Sequence, residues 1–185
     1  MNQSCQIKIS IVASNENGGK LGLCQCPGKK LTKGRDGKEH IRDLHSDLLN
    51  FKERGVRTIV CLLNDSELRS LGVQPQQYKI LTKNLDIEFI QYPILEMAPP
   101  DNIESLENQV LIPIANIFTQ NGFIVIHCRG GIGRAGTVAG CFLKKLRFFS
   151  NFSAAVQHLR KKRDKRCIES RKQEDFVKTY FSLMP

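Results

Sequence analysis

Long apolar runs are absent from this chain of 185 residues. No stretch approaches the roughly 20 residues that a transmembrane helix needs, so we expect no membrane-spanning segment. Internal repeats and low-complexity segments are missing as well. The length, with 41% hydrophobic and 25% charged residues, is ordinary for a globular protein. We therefore expect a single domain over residues 1–185.

A disulfide framework is not expected either. The chain has seven cysteines, an odd number at irregular spacing, and no secretory apolar region precedes them. We therefore expect reduced thiols and a cytoplasmic protein. Cys24 and Cys26 form the one close pair, without a second pair or a downstream His-x3-His motif. For that reason we expect no bound metal, and we expect no cofactor.

Negative charge is the scarcer sign. The chain has 28 Lys and Arg against 18 Asp and Glu, a net charge of +10, which favours anionic partners. Much of the excess lies in the C-terminal third, as solvated helix faces or as a patch for an acidic partner or lipid surface. Aromatic residues that look exposed are not interleaved with these basic residues, so we expect no nucleic-acid partner. We also expect a monomer. The clustered basic residues of this third are Lys144, Lys145, Arg147, Arg160, Lys161, Lys162, Arg163, Lys165, Arg166, Arg171 and Lys172.

Hydrophobic periodicity predicts strands that alternate with helices. The fold class is therefore α/β, with a central, mostly parallel, twisted sheet and helices on both faces. Ligands of such folds bind at the carboxyl ends of the strands. The predicted strands cover residues 6–12, 56–63, 87–91 and 122–127. The predicted helices cover residues 39–54, 134–147, 153–163 and 169–183, with another from Asp101 that Pro113 should kink.

One segment sets a cysteine and an arginine at the two ends of a glycine-rich turn. Residues 122–127 have the pattern of a buried strand, Cys128 follows directly, and Arg134 opens a helical pattern. The three glycines of the turn allow successive N–H groups to converge on an anion. These donors and the helix dipole should stabilise a thiolate on Cys128.

Arg134 supplies a planar, permanently charged fork that matches two phosphoryl oxygens. A bare Cys-x5-Arg pattern is weak, but the flanking strand, the glycines and the helical pattern make it specific. Two alternatives are a glycine-rich turn with an incidental buried cysteine and a phosphate-binding module without catalysis. A nucleotide-binding P-loop is excluded because no Gly-Lys-[Ser/Thr] follows the glycines.

His127-Cys128, five intervening residues and Arg134 resemble the signature loop of cysteine-dependent protein tyrosine and dual-specificity phosphatases. The pattern His-Cys-x-Gly-Gly-x-Gly-Arg is most similar to the kinase-associated phosphatase branch and its bacterial relatives. The resemblance runs from about Leu21 to Phe181, with residues 1–20 outside it. Other matching segments are Leu21-Gly22-Leu23-Cys24, Pro27-Gly28, Leu62-Leu63, Glu67-Leu68, Leu71-Gly72-Val73, Tyr92-Pro93-Ile94, Pro100-Asp101, Ile168-Glu169 and Gln173-Glu174.

The resemblance implies a phosphatase fold and phosphomonoester hydrolysis through a phosphocysteine intermediate, with Cys128 as nucleophile. His127 would order the loop by hydrogen bonds to the backbone. Gln173 resembles the family's glutamine that positions the hydrolytic water, and the alternative is an ordinary exposed helix residue. The residues that would bind the phosphate are Arg129, Gly130, Gly131, Ile132, Gly133 and Arg134.

Ester cleavage also needs an acid that protonates the leaving oxygen. The family has an aspartate after a Pro-Ile-x stretch, and this chain has Glu96 after Pro93-Ile94-Leu95. Glu96 is therefore the expected general acid, against the alternative of a solvated loop carboxylate. Asp101 is the second candidate, although Asp101 and Glu104 also form a capping-box pattern at the head of an apolar helix.

Ala135 is another departure from the family, in which a serine or threonine usually follows the arginine and helps the thiolate leave. Alanine cannot donate that hydrogen bond, and Thr137 is the nearby residue that would compensate. We expect a working but slow enzyme. The nearest comparison is the loss of one oxyanion-hole donor, which lowers the rate about a hundredfold.

The expected substrate is phosphotyrosine, phosphothreonine or phosphoserine in a protein. Lipid-directed members of the family carry two lysines in the loop, where this chain has Arg129 and Ile132, and one cation favours a monophosphate ester. The alternatives are a phosphoinositide phosphatase and a pseudophosphatase that binds phosphorylated partners.

Overall fold

A mixed five-stranded sheet carries the molecule's functional loops on one edge. The structure is a computed structural model that describes residues 6–34, 37 and 39–183. The strands are β1 (Ser10–Ser14), β2 (Lys20–Cys24), β3 (Lys30–Leu31), β4 (His40–Ile41), β5 (Val56–Cys61), β6 (Glu88–Gln91) and β7 (Phe123–His127). The helices are α1 (Leu44–Glu53), α2 (Asp65–Ser70), α3 (Pro75–Asn84), α4 (Ile103–Leu106), α5 (Ile112–Thr119), α6 (Gly133–Lys145), α7 (Phe152–Lys162) and α8 (Arg171–Leu183).

The strand order in the main sheet is β1-β2-β7-β5-β6, and β3 pairs with β4 separately. β1 runs antiparallel to β2, while the β2–β7, β7–β5 and β5–β6 pairs are parallel. Every residue of the central strand β7 is buried, as expected of a strand covered on both faces. The predicted mostly parallel α/β sheet with flanking helices is therefore confirmed.

The register brings three carboxyl ends together at His127. Cys24, the last residue of β2, lies opposite His127 on one side, and Cys61, the last residue of β5, lies opposite it on the other. The turn that follows His127 therefore starts at the middle of the sheet edge. In open α/β sheets this edge is where ligands bind.

Helix α6 forms the centre of the second layer. Its residues from Gly133 to Lys144 are all buried, and it packs against α7 and α8. Phe142 of α6 meets Phe118 of α5 edge to face, with ring centroids 5.3 Å apart. Because its whole surface is covered, the helix that begins at Gly133 holds a fixed position relative to the sheet.

Two boundaries at the N-terminal side differ from the prediction. The first strand was expected at residues 6–12, but β1 covers Ser10–Ser14, and β2 was missed. A tight turn joins the two strands, with the Asn15 side chain accepting from the Gly19 N–H at 2.7 Å. This turn sets the hairpin register, so Ile7 and Ile9 are buried ahead of the strand instead of inside it.

The first helix is also shorter than the predicted 39–54. It begins at Leu44 because Asp43 caps it, accepting from the Ser46 N–H at 2.8 Å. Ile41, which falls inside the predicted helix, lies in β4 instead and is 76% exposed.

A π-helical turn lies directly ahead of Pro113, where the kink was expected. The turn covers Glu107–Leu111, just ahead of Pro113 and between α4 and α5. At its end the Ile112 N–H donates to the Glu107 carbonyl, five residues back, so the backbone is still paired where the proline lacks a donor.

Within the described part of the chain, no helix is both long and apolar enough to cross a membrane. Cys5 lies outside that part, and the remaining cysteines are free and buried. Burial raises the pKa of both Cys61 and Cys167 to about 12, so these thiols are protonated and weakly nucleophilic near neutral pH.

Candidate active site

The turn after β7 places the Cys128 thiol at the start of the buried helix α6. Cys128 is 4% exposed, and its Sγ accepts a hydrogen bond from the Gly131 N–H at 3.2 Å. The residue ahead of the helix, Ile132, provides no side-chain cap. The first-turn amides of α6 are therefore open to an anion, and the helix dipole favours one there.

Gly131 fills a position that a side chain cannot occupy, and Gly133 lies close to the side chains of the neighbouring segment. Gly131 has φ +68°, and a Cβ at this residue would lie 2.0 Å from the Cys24 carbonyl oxygen. A Cβ on Gly133 would lie 2.5 Å from the Glu169 carboxylate. The glycines thus allow the loop to pack directly against β2 and against the segment before α8.

Arg134 is anchored at one end of its guanidinium. Its Nη1 donates to both Glu67 oxygens, at 2.8 and 3.1 Å, and to the Ile94 carbonyl at 2.8 Å. Among the described residues, its Nε and Nη2 groups donate to no partner. Since Arg134 and Cys128 line one cavity, the free edge of the fork is available to two oxygens of a bound phosphate.

Glu67, which holds Arg134, was not predicted as a site residue. It belongs to α2, where it completes a capping box with Asn64. The spacing Asn64-x-x-Glu67 is a recognisable helix-start signal. That signal predicts the helix boundary, but it carries no information about the contact with Arg134, 67 residues later.

Arg163 holds the outer side of the Cys128 loop, which is the turn over residues 128–133. Its Nε donates to the Gly131 carbonyl and its Nη2 to the Gly130 carbonyl, both at 2.9 Å. With these carbonyls fixed outward, the neighbouring N–H groups are directed toward the anion site. Arg163 was grouped with the C-terminal basic cluster, and the structure moves it into the support of the loop.

Several other cations of that cluster are also paired within the chain. Arg160 contacts Glu174 at 2.6 Å, Lys145 contacts Glu107 at 2.6 Å, and Arg166 contacts Asp164 at 3.0 Å. These pairs reduce the charge that the C-terminal third presents to a partner.

His127 is completely buried beneath the loop. Its Nδ1 lies 3.4 Å from the Cys128 carbonyl oxygen, and its Nε2 lies 3.0 Å from the Tyr78 hydroxyl. Burial lowers the pKa of His127 to about 4, so the ring is neutral at neutral pH. Tyr78 is a second site residue that sequence reasoning missed, since it is one of several apolar positions in α3.

The two candidate acids stand in different places. Glu96 is exposed and lines the same cavity as Cys128 and Arg134. Asp101 is exposed too, but it does not line this cavity. The capping role considered for Asp101 is wrong, because Asn102 caps α4 and accepts from the Ser105 N–H at 2.7 Å.

Gln173 is 1% exposed, so it is not an ordinary exposed helix residue. Its Oε1 accepts from the Glu169 and Ser170 N–H groups at 3.0 and 3.2 Å. Its Nε2 donates to the Ala98 carbonyl at 3.1 Å. Gln173 thereby joins the start of α8 to the loop that carries Glu96.

Ala135 is fully buried, and Thr137 does not replace the missing hydroxyl. The Thr137 Oγ1 donates to the Gly133 carbonyl at 2.9 Å within α6. Its only hydrogen is committed to the helix backbone, so the suggested compensation by Thr137 is wrong.

A cavity of about 890 Å³ is lined by Cys128, Arg134, Glu96 and Gln173. Its floor is the Cys128 loop, and its walls include α1, the Glu96 loop and the segment before α8. Both acidic and basic side chains line the cavity, so its electrostatic potential does not have a single sign. The remaining charged lining residues are Lys8, Lys29, Glu39, Arg42, Asp43, Asp47, Glu53, Arg129, Arg163, Asp164, Arg166 and Glu169.

Comparison with known protein families assigns the chain. A model described as "Swiss Army Knife protein, DSP-PTPase phosphatase domain" matches residues 38–177, which is more than half of the sequence. The chain belongs to this family. It is a cysteine-based protein phosphatase of the dual-specificity class, and the predicted family resemblance is confirmed.

Individual relatives agree with the assignment. Cyclin-dependent kinase inhibitor 3 of Rattus norvegicus is 28% identical over 162 residues, which cover 85% of this chain and 69% of that protein. The Homo sapiens protein of the same name is 27% identical over the same coverage.

Solved structures share the fold. A crystal structure of kinase associated phosphatase, with serine at the catalytic site cysteine, matches with a TM-score of 0.84 and 24% identity over 98% of both chains. Tk-PTP in the active form matches with a TM-score of 0.71 and 21% identity, over 98% of this chain and 99% of that one. The DSP phosphatase fold therefore extends over the described chain.

Proposed function

We propose that the chain is one phosphatase domain that hydrolyses phosphomonoesters on proteins through a phosphocysteine at Cys128. The observation that carries this proposal is a single cavity that holds the Cys128 thiol, the uncapped first turn of α6 and the anchored Arg134. Together these groups supply a nucleophile, convergent N–H donors and a bidentate cation for one phosphoryl group.

The first step is attack of the Cys128 sulfur on phosphorus. An S–P bond forms and the P–O bond of the ester breaks, while Arg134 and the loop amides carry the charge of the phosphoryl oxygens. Glu96 gives its proton to the leaving oxygen, because it is the candidate acid that lines the cavity.

The second step is hydrolysis of the phosphocysteine. Water attacks phosphorus, the S–P bond breaks, and the Glu96 carboxylate accepts the proton of the water. Ala135 offers the departing thiolate no hydroxyl, and the Thr137 hydroxyl is engaged elsewhere. We therefore infer that this second step limits turnover.

A phosphorylated side chain of a protein is the proposed substrate. The cavity of about 890 Å³ is wider than a phosphate needs, which leaves room for the residues on either side of a phosphorylated one. The relatives named cyclin-dependent kinase inhibitor 3 and kinase associated phosphatase support a partner among phosphorylated kinases. The free thiols support a cytoplasmic location.

Hydrolysis of an aryl phosphate by the wild type and by Cys128→Ser tests this proposal. The wild type should turn over and the variant should fall to background, at equal folding by circular dichroism. Equal rates near background in both proteins would leave only the pseudophosphatase hypothesis, in which the site binds phosphorylated partners.

A substrate panel then separates the remaining classes. Phosphotyrosyl and phosphothreonyl peptides should be hydrolysed in preference to phosphoinositide vesicles, because Arg129 is the single cation at the two loop positions that face extra phosphates in lipid-directed members. A higher kcat/KM for the lipids would contradict the protein-phosphatase proposal.

A further inference from the structure

Two side chains at the start of α8 are tied to the loop that carries Glu96. The Ser170 hydroxyl donates to the Met97 carbonyl at 2.7 Å. The Gln173 amide donates to the next carbonyl, that of Ala98, at 3.1 Å. These two hydrogen bonds hold the carbonyl groups of the two residues that directly follow the candidate acid.

The side chains that make these bonds are themselves fixed. The Gln173 Oε1 accepts from two backbone N–H groups, so the amide orientation places Nε2 toward the Ala98 carbonyl. The Ser170 Oγ accepts from the Gln173 N–H at 3.1 Å, which orients its own hydrogen toward Met97. Each side chain thus uses both a donor and an acceptor in one local network.

Apolar packing holds the tip of the Glu96 loop only weakly. Leu95 is 70% exposed, Met97 is 42% exposed and Glu96 is exposed, so apolar burial contributes little. The loop makes a tight turn in which the Ala98 N–H donates to the Leu95 carbonyl at 3.0 Å. Met97 adopts φ +62°, which is an unfavourable backbone conformation for a residue with a side chain.

The segment that precedes α8 also contacts the Cys128 loop. The Ile168 N–H donates to the Ile132 carbonyl at 3.3 Å. The Glu169 carboxylate and the Gln173 amide oxygen lie within 3.1 Å of where a Cβ on Gly133 would be. Residues 168–173 therefore contact both loops and set the distance between them.

We propose that Ser170 and Gln173 are positioning residues that preset the Glu96 loop over the Cys128 loop before substrate binds. This inference rests on the proposed role of Glu96 as general acid. The consequence is specific: loss of the Ser170 contact should slow the step that needs the acid and spare reactions that need little acid.

The test uses Ser170→Ala, with Ser182→Ala as a matched control. Ser182 lies in α8, which Ser170 directly precedes, and its hydroxyl donates to the Thr179 carbonyl one turn back. For Ser170→Ala, kcat/KM on a phosphothreonyl peptide, whose alkoxide leaves poorly, should fall about tenfold, the size of one lost hydrogen bond. On an aryl phosphate with a good leaving group the loss should stay below twofold. Ser182→Ala should match the wild type on both substrates.

Combination with Glu96→Gln makes the test specific to positioning. In that background Ser170→Ala should cause no further loss, because no acid remains to be positioned. Equal losses on the two substrates, or a loss that persists beside Glu96→Gln, would overturn the inference.

Amide hydrogen exchange tests the contact between Ser170 and the Met97 carbonyl independently of enzymatic activity. The Ala98 amide should exchange faster in Ser170→Ala than in the wild type and in Ser182→Ala, and unchanged exchange would overturn the proposed hold on the loop. If the wild type hydrolysed neither substrate, the proposed function would fail, while the exchange result would still decide whether Ser170 fixes the loop.

Discussion

The two loops that meet in the cavity are held in different ways. The Cys128 loop joins a wholly buried strand to a helix that is buried up to its last residue, and Arg163 fixes its outer carbonyls. The Glu96 loop is exposed, and side-chain hydrogen bonds from Ser170 and Gln173 fix it from one side. In the proposed mechanism, phosphate binding and attack therefore depend on the protein core, whereas proton delivery depends on a few side-chain hydrogen bonds to an exposed loop.

The largest effect should come from the buried loop, through Arg134→Lys. A lysine cannot keep the contacts with Glu67 and the Ile94 carbonyl and also present two donors to the phosphate. We expect kcat/KM for an aryl phosphate to fall by about 10²- to 10³-fold, as for the loss of an oxyanion-hole donor. Arg160→Lys, which alters a surface pair with Glu174, is the control and should stay near wild type. A loss as small in Arg134→Lys as in the control would show that the fork is not needed.

The exposed loop should give the next largest effect, and one that depends on the substrate. Glu96→Gln should lower kcat/KM on a phosphothreonyl peptide by about a hundredfold, the usual contribution of a general acid. Asp101→Asn, outside the cavity, should change it less than twofold. The opposite ranking would move the acid to Asp101 and contradict the difference drawn between the two carboxylates.

Arg163→Met tests how much the outer support of the buried loop contributes. Without the hydrogen bonds to the Gly130 and Gly131 carbonyls, the loop amides should converge less well on the anion. We expect competitive inhibition by inorganic phosphate to weaken about tenfold, as for lost charge-assisted hydrogen bonds. Lys162→Met removes the same charge from the next residue, which is exposed. Equal weakening in both variants would mean that net charge, and not the contact with the loop, is what matters.

Protonation of His127 should have the smallest effect on catalysis but a measurable effect on the free energy of unfolding. Its folded pKa of about 4 lies below the value of about 6.5 expected in the unfolded chain. The unfolded state therefore binds the extra proton first, and the stabilising contribution present above pH 6.5 is lost as the pH falls toward 4. The loss should approach about 3 kcal/mol, measured by urea unfolding between pH 7 and pH 4.5. An NMR titration that put the pKa of the His127 ring near 6.5 would contradict this assignment.

The residues of the Cys128 loop were predictable because they are contiguous. A buried-strand pattern, three glycines and a helical pattern define the turn within fourteen residues, from Ile124 to Thr137. The parallel strands and most helices followed from periodicity in the same way. β2 was missed because its short apolar run follows Gly18 and Gly19 and reads as loop.

The supports of the site were not predictable, because each one is distant in the chain from what it holds. Arg163 contacts Gly131, 32 residues away, and Tyr78 contacts His127, 49 residues away. In the sequence Arg163 is one of a basic run and Tyr78 is one apolar position of a helix. The packing of helices against the sheet, which periodicity does not specify, brings these pairs together.

Ala135 connects the buried loop to the rate of the whole cycle. Since no hydroxyl reaches the departing thiolate from this position or from Thr137, phosphocysteine should accumulate. Ala135→Ser should raise steady-state turnover several-fold, toward the roughly hundredfold scale of a restored oxyanion donor. The control is Ala154→Ser, an exchange at the start of α7 that should leave turnover unchanged.

Rapid-quench kinetics with an aryl phosphate, combined with mass spectrometry of the acid-quenched protein, test the phosphocysteine mechanism most directly. The wild type should release a burst of phenol equivalent to the enzyme, followed by slower turnover, and the peptide that contains Cys128 should carry one phosphoryl group during the steady state. In Ala135→Ser the burst should remain and the phosphorylated fraction should fall. Strictly linear product release, with no phosphoryl group on Cys128, would contradict a phosphocysteine whose hydrolysis limits the rate.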